Sequence, residues 1–265
     1  MSKESGLRVE REGAVVNVTF DRPDKKNALT LEIFDELRRV IDAMATDPEA
    51  RVLVLRGAGG NFSSGADLSG AAPAESWDPR QSPVALIRDR VGAAALALHR
   101  LPKPTLALVE GVAAGAGANL ALCCDLVYAA RGARFSQIFI RRALSLDCGG
   151  SWVLPRTVGL RRAKELAFFG DWVSAEDAED LGLVNAVFEA ESAADEVRER
   201  AGRLARQAPL ALSLIKESLD ASSSLSFAEA LDKEAVYQGA CTGSGDFAEG
   251  IAAFLEGREP DFSGS

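Results

Sequence analysis

A stretch of small residues between two apolar runs constrains the fold of this chain more than any other feature. Residues 109–122 read VEGVAAGAGANLAL, with only glycine and alanine at positions 113–118. The apolar run 105–109 predicts a short buried strand, and residues 117–122 predict the start of a helix. The glycines therefore lie at a strand-to-helix turn, where unpaired main-chain N–H groups point outward.

Taken alone, this turn fits more than one kind of protein. Small residues at such a turn often serve only to let a helix pack tightly on a sheet. The run 115–120 also resembles part of a dinucleotide-binding fingerprint, but it lacks the third glycine, and no acidic residue follows at the usual distance. The interpretation of the chain as an NAD-binding oxidoreductase therefore rests on an incomplete motif.

A second stretch of the same kind follows another predicted strand. Residues 51–56 predict that strand, and the segment NFSSGADL comes after it at positions 61–68. Two such turns can direct two main-chain donors at one oxygen atom, and only small side chains let a substrate carbonyl reach the main chain of this oxyanion hole. With these two segments and their spacing, the chain resembles the crotonase superfamily, also called the enoyl-CoA hydratase/isomerase superfamily.

Composition limits the class of protein further. The chain has 265 residues, of which 26% are charged, and its formal net charge is −9. Its apolar runs are too short for a membrane span, and an acidic chain disfavours a large nucleic-acid surface. The four cysteines show neither zinc-ligand spacing nor the density of a secreted disulfide scaffold. We therefore expect a cytoplasmic α/β enzyme without a metal, a membrane anchor or a nucleic-acid partner.

The resemblance covers nearly the whole chain and implies an architecture. The superfamily fold is a ClpP-like spiral of ββα units followed by an α-helical trimerisation segment. The resemblance places the spiral core, with the acyl-CoA site, at residues 1–190 and the helical segment at residues 191–265. Members bind acyl-CoA thioesters, with coenzyme A as part of the substrate and no other cofactor, as homotrimers or dimers of trimers. By the same resemblance, the two main-chain donors are Ala66 and Ala116.

The resemblance also bears on the reaction. Hydratases of the superfamily position a water molecule with two glutamates, and the matching positions here are Asn119 and Phe139. Asp147 instead falls where ring-epoxide isomerases, dienoyl-CoA isomerases and chlorobenzoyl-CoA dehalogenases carry a working aspartate. The dehalogenases also need a histidine, and His99 is not at the expected spacing. The chain most resembles the 1,2-epoxyphenylacetyl-CoA isomerase and Δ3,Δ2-enoyl-CoA isomerase group.

The resemblance implies a set of substrate contacts as well. The full set is Lys25, Lys26, Ala28, Ser64, Asp67, Leu68, Gly115, Phe139 and Phe254. The two lysines would meet the CoA phosphates. Phe254 would act across a subunit boundary, where Gly257 stands in place of a family lysine and Arg258 is a candidate substitute. Trp77 is a candidate cover for the acyl pocket.

These observations predict an enzyme that isomerises an enoyl-CoA or a ring-epoxide acyl-CoA, with Asp147 as its acid and base. One carboxylate is enough to remove a proton from C2 and return it at C4. Apolar neighbours such as Ile138 and Leu146 would raise the pKa of Asp147 by burying it. Because Asp147 precedes a predicted helix, an N-cap is the structural alternative for this residue. The functional alternatives are a hydratase with weak or altered activity and a non-catalytic acyl-CoA-binding protein.

Overall fold

The computed structural model describes residues 6–69 and 82–265. The strands of these ranges are β1 (Leu7–Glu12), β2 (Val15–Phe20), β3 (Val52–Gly57), β4 (Thr105–Val109), β5 (Val112–Ala114), β6 (Leu126–Ala130), β7 (Arg134–Ser136), β8 (Val173–Ser174) and β9 (Ala186–Phe188). The α-helices are α1 (Leu31–Thr46), α2 (Pro83–Leu86), α3 (Ala93–Arg100), α4 (Ala116–Leu122), α5 (Gly150–Thr157), α6 (Gly159–Phe169), α7 (Ala175–Asp180), α8 (Ala193–Ala205), α9 (Pro209–Ala221), α10 (Phe227–Thr242) and α11 (Gly245–Glu256). Short 3-10 turns lie at Pro23–Lys25, Ile138–Arg142 and Ser222–Ser224, and a π-helical turn at Ile87–Gly92 joins α2 to α3.

The strands of the described ranges form two sheets. In the larger sheet the order is β1-β2-β3-β4-β6-β9, with β1 and β2 antiparallel and the later pairs parallel. In the smaller sheet β5 pairs in parallel with β7, and β8 joins antiparallel. Because successive ββα units add strands to both sheets, the chain advances as a spiral. The predicted α/β spiral is thus confirmed.

Helices cover both faces of the larger sheet. Thr30 begins α1 by accepting a hydrogen bond from the Ile33 N–H, as the sequence predicts. On the other face α8 packs against the sheet through small and branched side chains. With both faces covered, the central strands β4 and β6 are apolar along most of their length, and each large side chain that is fully buried contributes about 1.5–3 kcal/mol. The buried residues of α1 and α8 are Ile33, Phe34, Leu37, Ile41, Met44, Ala193, Val197 and Ala201.

Three local differences from the sequence-based expectations have physical causes. Residues 112–114 form β5 instead of part of a turn, because β7 offers them a parallel partner. The composition of residues 84–100 predicts one helix, but this segment contains a π-helical turn, which shifts its hydrogen-bond register by one residue. Residues 133–137 predict a short strand, but β7 is shorter and Gln137 begins a 3-10 turn.

The chain from α8 to α11 is helical apart from short connections. Several large apolar side chains of its last three helices are exposed in the single chain. Phe227, Phe254 and Leu255 are 80%, 83% and 77% exposed. Large apolar side chains exposed to this degree are typical of an interface with another molecule.

Within residues 6–69 and 82–265, no helix combines the length and the apolar character that crossing a membrane requires.

Candidate active site

The two small-residue turns lie against each other. The Ser63 N–H donates to the Val112 carbonyl, and the Ala114 N–H donates to the Ser63 carbonyl, both at 2.9 Å. This pairing lays the segment after β3 along β5. It also brings the turn that contains Ala66 next to the turn that contains Ala116.

Close contact between the turns explains their glycines. At Gly65, where φ is +95°, a Cβ atom would lie 2.8 Å from the Ala114 carbonyl oxygen and 3.7 Å from the Ala116 nitrogen. At Gly117 a Cβ atom would lie 2.6 Å from the Ser63 Cβ. Both glycines are therefore needed for the turns to meet, and packing alone accounts for them.

The main-chain N–H groups of Ala66 and Ala116 have no acceptor within the described parts of the chain. Ala116 is the first residue of α4, where an amide lacks a partner in its own helix. Around Ala66, the Leu29 N–H donates to the Gly65 carbonyl and the Asp67 N–H donates to the Leu29 carbonyl. Because Gly65 and Asp67 pair with Leu29 on one edge of this segment, the Ala66 N–H points away from Leu29, on the other edge. Both amides are thus available to a ligand oxygen.

Asp147 lies in a turn with unusual backbone angles before α5. Cys148 and Gly149 follow it with φ values of +46° and +77°, and a positive φ costs energy at cysteine. The Asn119 Nδ2 donates to the Asp147 main-chain carbonyl at 2.9 Å, and the Cys123 thiol donates to the Cys148 carbonyl at 3.2 Å. Both contacts tie the turn to α4, whose first residue carries one of the free amides.

The Asp147 side chain is half-buried, and its carboxyl keeps free capacity to accept a hydrogen bond. Its Oδ1 is inaccessible to solvent and has no hydrogen-bond partner among the described residues. Burial raises the pKa of Asp147 to about 6, while a hydrogen bond with the Cys148 side chain acts in the lowering direction. Gly149 occupies the N-cap of α5, so the alternative role of Asp147 as the cap of this helix is wrong.

The two positions that match the hydratase glutamates hold uncharged side chains. Asn119 is fully buried, and both ends of its amide are occupied, by Gln137 through Oδ1 and by the Asp147 carbonyl through Nδ2. Phe139 is also buried, with its ring next to Gly115. Neither side chain can take a proton from water, so Asp147 is the acid or base available at these three positions.

The loop expected to meet CoA borders the first of the two turns. Lys25 and Lys26 are both exposed. The Ser64 N–H donates to the Lys26 carbonyl at 2.9 Å, and the Ser64 hydroxyl donates to the Lys25 carbonyl at 3.2 Å. Ala28 is buried, whereas Leu68 is 48% exposed. The main-chain contacts thus hold both lysines beside the Ser64 turn.

Asp67 is engaged within the chain. Its carboxylate accepts from the Ser69 hydroxyl at 2.6 Å and from the Ser69 N–H at 3.0 Å, and it pairs with Arg22 at 2.8 Å. These contacts, with Ser69 as the largest cause, lower the pKa of Asp67 to about 2. Arg22 also donates to the Ala28 carbonyl at 2.7 Å. Arg22, which the sequence did not single out, therefore links the CoA loop to the first turn.

The expected contact across a subunit boundary involves the end of α11. Phe254 is exposed there, as an intersubunit role requires. Gly257 ends the helix with φ +69°, which suits glycine better than the family lysine. Arg258 is paired with Glu249 and Glu256, both at 2.6 Å, so its guanidinium is occupied in the single chain. Trp77 lies outside the described residues.

A cavity of about 1070 Å³ lies next to the Asp147 turn, between α3, α5 and α9. Gly149 and Trp152 line it, and Asp147 does not. His99 lies on its wall, with its ring packed against Trp152 at a centroid distance of 5.0 Å and its Nε2 4.0 Å from an Asp220 oxygen. His99 thus packs against Trp152 in the last turn of α3.

The spiral of ββα units and its helical C-terminal segment define the crotonase fold. The family described as enoyl-CoA hydratase/isomerase matches residues 10–265 of this chain. The chain belongs to that family.

Relatives with similar sequence identity to this chain are named for two different reactions. The chain is 37% identical to 1,2-epoxyphenylacetyl-CoA isomerase of Escherichia coli (strain K12), over 96% of each chain. It is 34% identical to 2,3-dehydroadipyl-CoA hydratase of the same organism, over 98% of this chain and 99% of the other. The crystal structure of an enoyl-CoA hydratase from Polaromonas sp. JS666 superposes with a TM-score of 0.89 at 35% identity, covering 97% of this chain and 99% of that one.

Proposed function

We propose that the protein is an isomerase of an enoyl-CoA or a ring-epoxide acyl-CoA, in which Asp147 moves the proton. The main support is the half-buried Asp147 carboxyl, whose Oδ1 has no hydrogen-bond partner among the described residues and whose pKa is raised by burial to about 6. A group that titrates close to working pH can both accept and release a proton at useful rates. The Ala66 and Ala116 amides would bind the thioester oxygen as the charge on it develops.

For a 3-enoyl-CoA, the reaction needs no reactant beyond the substrate and this carboxylate. Ionised Asp147 takes one proton from C2, and the electron pair of that C–H bond spreads over the thioester and the C3–C4 double bond. The two amides stabilise the negative charge on the thioester oxygen. Asp147 then returns the proton to C4, and the double bond is left between C2 and C3.

The CoA part of the substrate would bind along the first turn. Lys25 and Lys26 supply positive charge for its phosphates, and Ser64 and Leu68 border the path of the chain that joins CoA to the thioester. Gly115 and the ring of Phe139 lie at the reacting end. Added salt should weaken the contribution of the two lysines, because both are exposed.

A hydratase is the second candidate, because several relatives carry that name. Hydration requires a group that activates water, and Asn119 and Phe139 supply none. A non-catalytic acyl-CoA-binding protein is a third candidate. Such a protein would have no use for a half-buried carboxyl whose desolvation works against folding at neutral pH.

A panel of substrates tests the proposal with the wild-type protein. Its members are a 3-enoyl-CoA, a 2-enoyl-CoA and a ring-epoxide acyl-CoA, each assayed for isomerisation and for addition of water. We expect conversion of the first or the third substrate to exceed hydration of the second by at least about tenfold in kcat/KM. Faster hydration would support the hydratase, and binding without conversion of any member would support the non-catalytic candidate.

A further inference from the structure

Two buried side-chain amides, those of Gln137 and Asn119, form hydrogen bonds that lead to the turn containing Asp147. Gln137 has no part in the proposed reaction. Gln137 is 5% exposed and follows β7. Its Nε2 donates to the Asn119 Oδ1 at 2.9 Å, and the Asn119 Nδ2 donates to the Asp147 main-chain carbonyl at 2.9 Å. The amide plane of Asn119 therefore lies between a donor and an acceptor.

Gln137 supports the orientation of the Asn119 amide. The Asp147 carbonyl only accepts and Gln137 Nε2 only donates, so both partners require the Asn119 Nδ2 to face the Asp147 turn and its Oδ1 to face Gln137. Gly150 packs closely on the same amide, since a Cβ there would lie 2.3 Å from the Asn119 Nδ2. The Asn119 Nδ2 thus donates to the main-chain carbonyl of Asp147, and the Asp147 Oδ1 has no hydrogen-bond partner among the described residues.

We propose that Gln137 is a positioning residue for Asp147, which orients Asn119 so that it holds the Asp147 main chain and leaves the carboxyl free for the substrate. This inference rests on the proposed function of Asp147 as the group that moves the proton. Gln137 itself touches no reacting atom. It acts through Asn119 on a turn whose positive φ at Cys148 needs such support.

The unpaired side-chain oxygen of Gln137 indicates that this residue is not the most stabilising choice at its position. Its Oε1 is buried without a hydrogen-bond partner in the described parts of the chain, which is unfavourable for folding. An apolar side chain of the same length would remove this orphan acceptor while leaving Asn119 Oδ1 unpaired. The two effects oppose each other, so such a replacement should change activity far more than stability.

The test replaces Gln137 by Met, which keeps the length and removes the donor, with Gln137→Leu as a second variant. We expect kcat for isomerisation to fall about 10²-fold with KM within about threefold of wild type, because the carboxyl loses its fixed position. Melting temperature should stay within about 4 °C of wild type. Gln207→Met is the matched control at an exposed glutamine and should change none of these quantities.

A double-mutant cycle tests whether Gln137 acts through Asn119. If it does, Gln137→Met combined with Asn119→Ala should be no slower than Asn119→Ala alone. Multiplicative losses in the double variant would overturn the proposal, as would a Gln137→Met enzyme with kcat within threefold of wild type.

A titration separates this inference from the proposed function. Carbon-13 NMR of aspartate-labelled protein, with Asp147→Asn to assign the signal, reports the ionisation of Asp147 without any substrate. In Gln137→Met the midpoint should move down from the wild-type value toward that of an ordinary aspartate, because the released turn lets water reach the carboxyl. Cys148 is the titratable neighbour that acts on this group, and its thiol remains in place. An unmoved midpoint would overturn the role of Gln137 even in a protein that isomerises an acyl-CoA. A wild-type protein that isomerises no acyl-CoA would overturn the proposed function, and a moved midpoint would then show only that Gln137 affects the ionisation of Asp147.

Discussion

Asp147 combines partial burial with the proton-transfer role that we propose. Burial raises its pKa to about 6, and only the ionised form can remove a proton from C2. We therefore expect kcat/KM for isomerisation to fall about tenfold per pH unit below pH of about 6 and to be level above it. Initial rates at fixed ionic strength measure this profile. A profile that stays level down to pH of about 4.5 would show that ionisation of Asp147 does not control the reaction.

The same residue should lower stability at neutral pH. Its pKa is raised in the folded protein, so the folded state favours the neutral acid, and stability is lost as pH rises from about 4 through about 6. Asp147→Asn should therefore raise the free energy of unfolding at pH of about 8 by up to about 3 kcal/mol, with the gain vanishing below pH of about 4. Urea unfolding at both pH values measures it. A variant that is less stable at the higher pH would contradict this assignment of the pKa.

At the residue scale the sequence indicates the proposed proton-transfer group, but not the residues that contact its surroundings. Asp147 stood out because a carboxylate in that context resembles the isomerases. Gln137 and Arg22 did not stand out, because a glutamine or an arginine in a loop carries no periodic signal. Their roles depend on partners that are distant in sequence, Asn119 for Gln137 and Asp67 for Arg22.

At the scale of elements, the approach of the two turns depends on small residues. A Cβ at Gly117 would meet the Ser63 Cβ at 2.6 Å, so Gly117→Ala must push the turns apart. We expect the Gly117→Ala variant to lose about 1–3 kcal/mol of stability and about 10²-fold in kcat/KM.

Gly239→Ala is the control, because this glycine lies inside α10 with nothing near its Cβ position. It should gain about 0.5–1 kcal/mol without change in activity. Equal behaviour of the two variants would contradict the close contact between the turns.

Elements with strong periodic patterns were predictable, and elements made by long-range pairing were not. The cap at Thr30 and the apolar stripe of α1 follow from local sequence. β5 is only three residues long, Val112–Ala114, and its pairing with β7 makes it a strand. The π-helical turn before α3 has no sequence signal either, since it shifts hydrogen bonds without changing the apolar pattern.

For the whole molecule, the exposed apolar side chains of the C-terminal helices predict self-association. Ile251, Phe254 and Leu255 lie on one short helix and are each at least 48% exposed. A closed homotrimer or a dimer of trimers would bury them. Light scattering should give three or six times the chain mass of 28.0 kDa. Phe254→Asp should shift the mass toward the single chain, while Glu259→Asp, an exposed change beyond the helix, should not. A wild-type monomer at micromolar concentration would contradict this assembly.

The rate of 3-enoyl-CoA isomerisation in wild type and in Asp147→Asn, measured side by side at pH of about 8, tests the account most directly. Asparagine keeps the size of the side chain and removes the proton acceptor. The account predicts a fall of about 10²-fold or more in kcat, with CoA binding close to wild type. An Asp147→Asn enzyme that keeps full isomerase activity would contradict it.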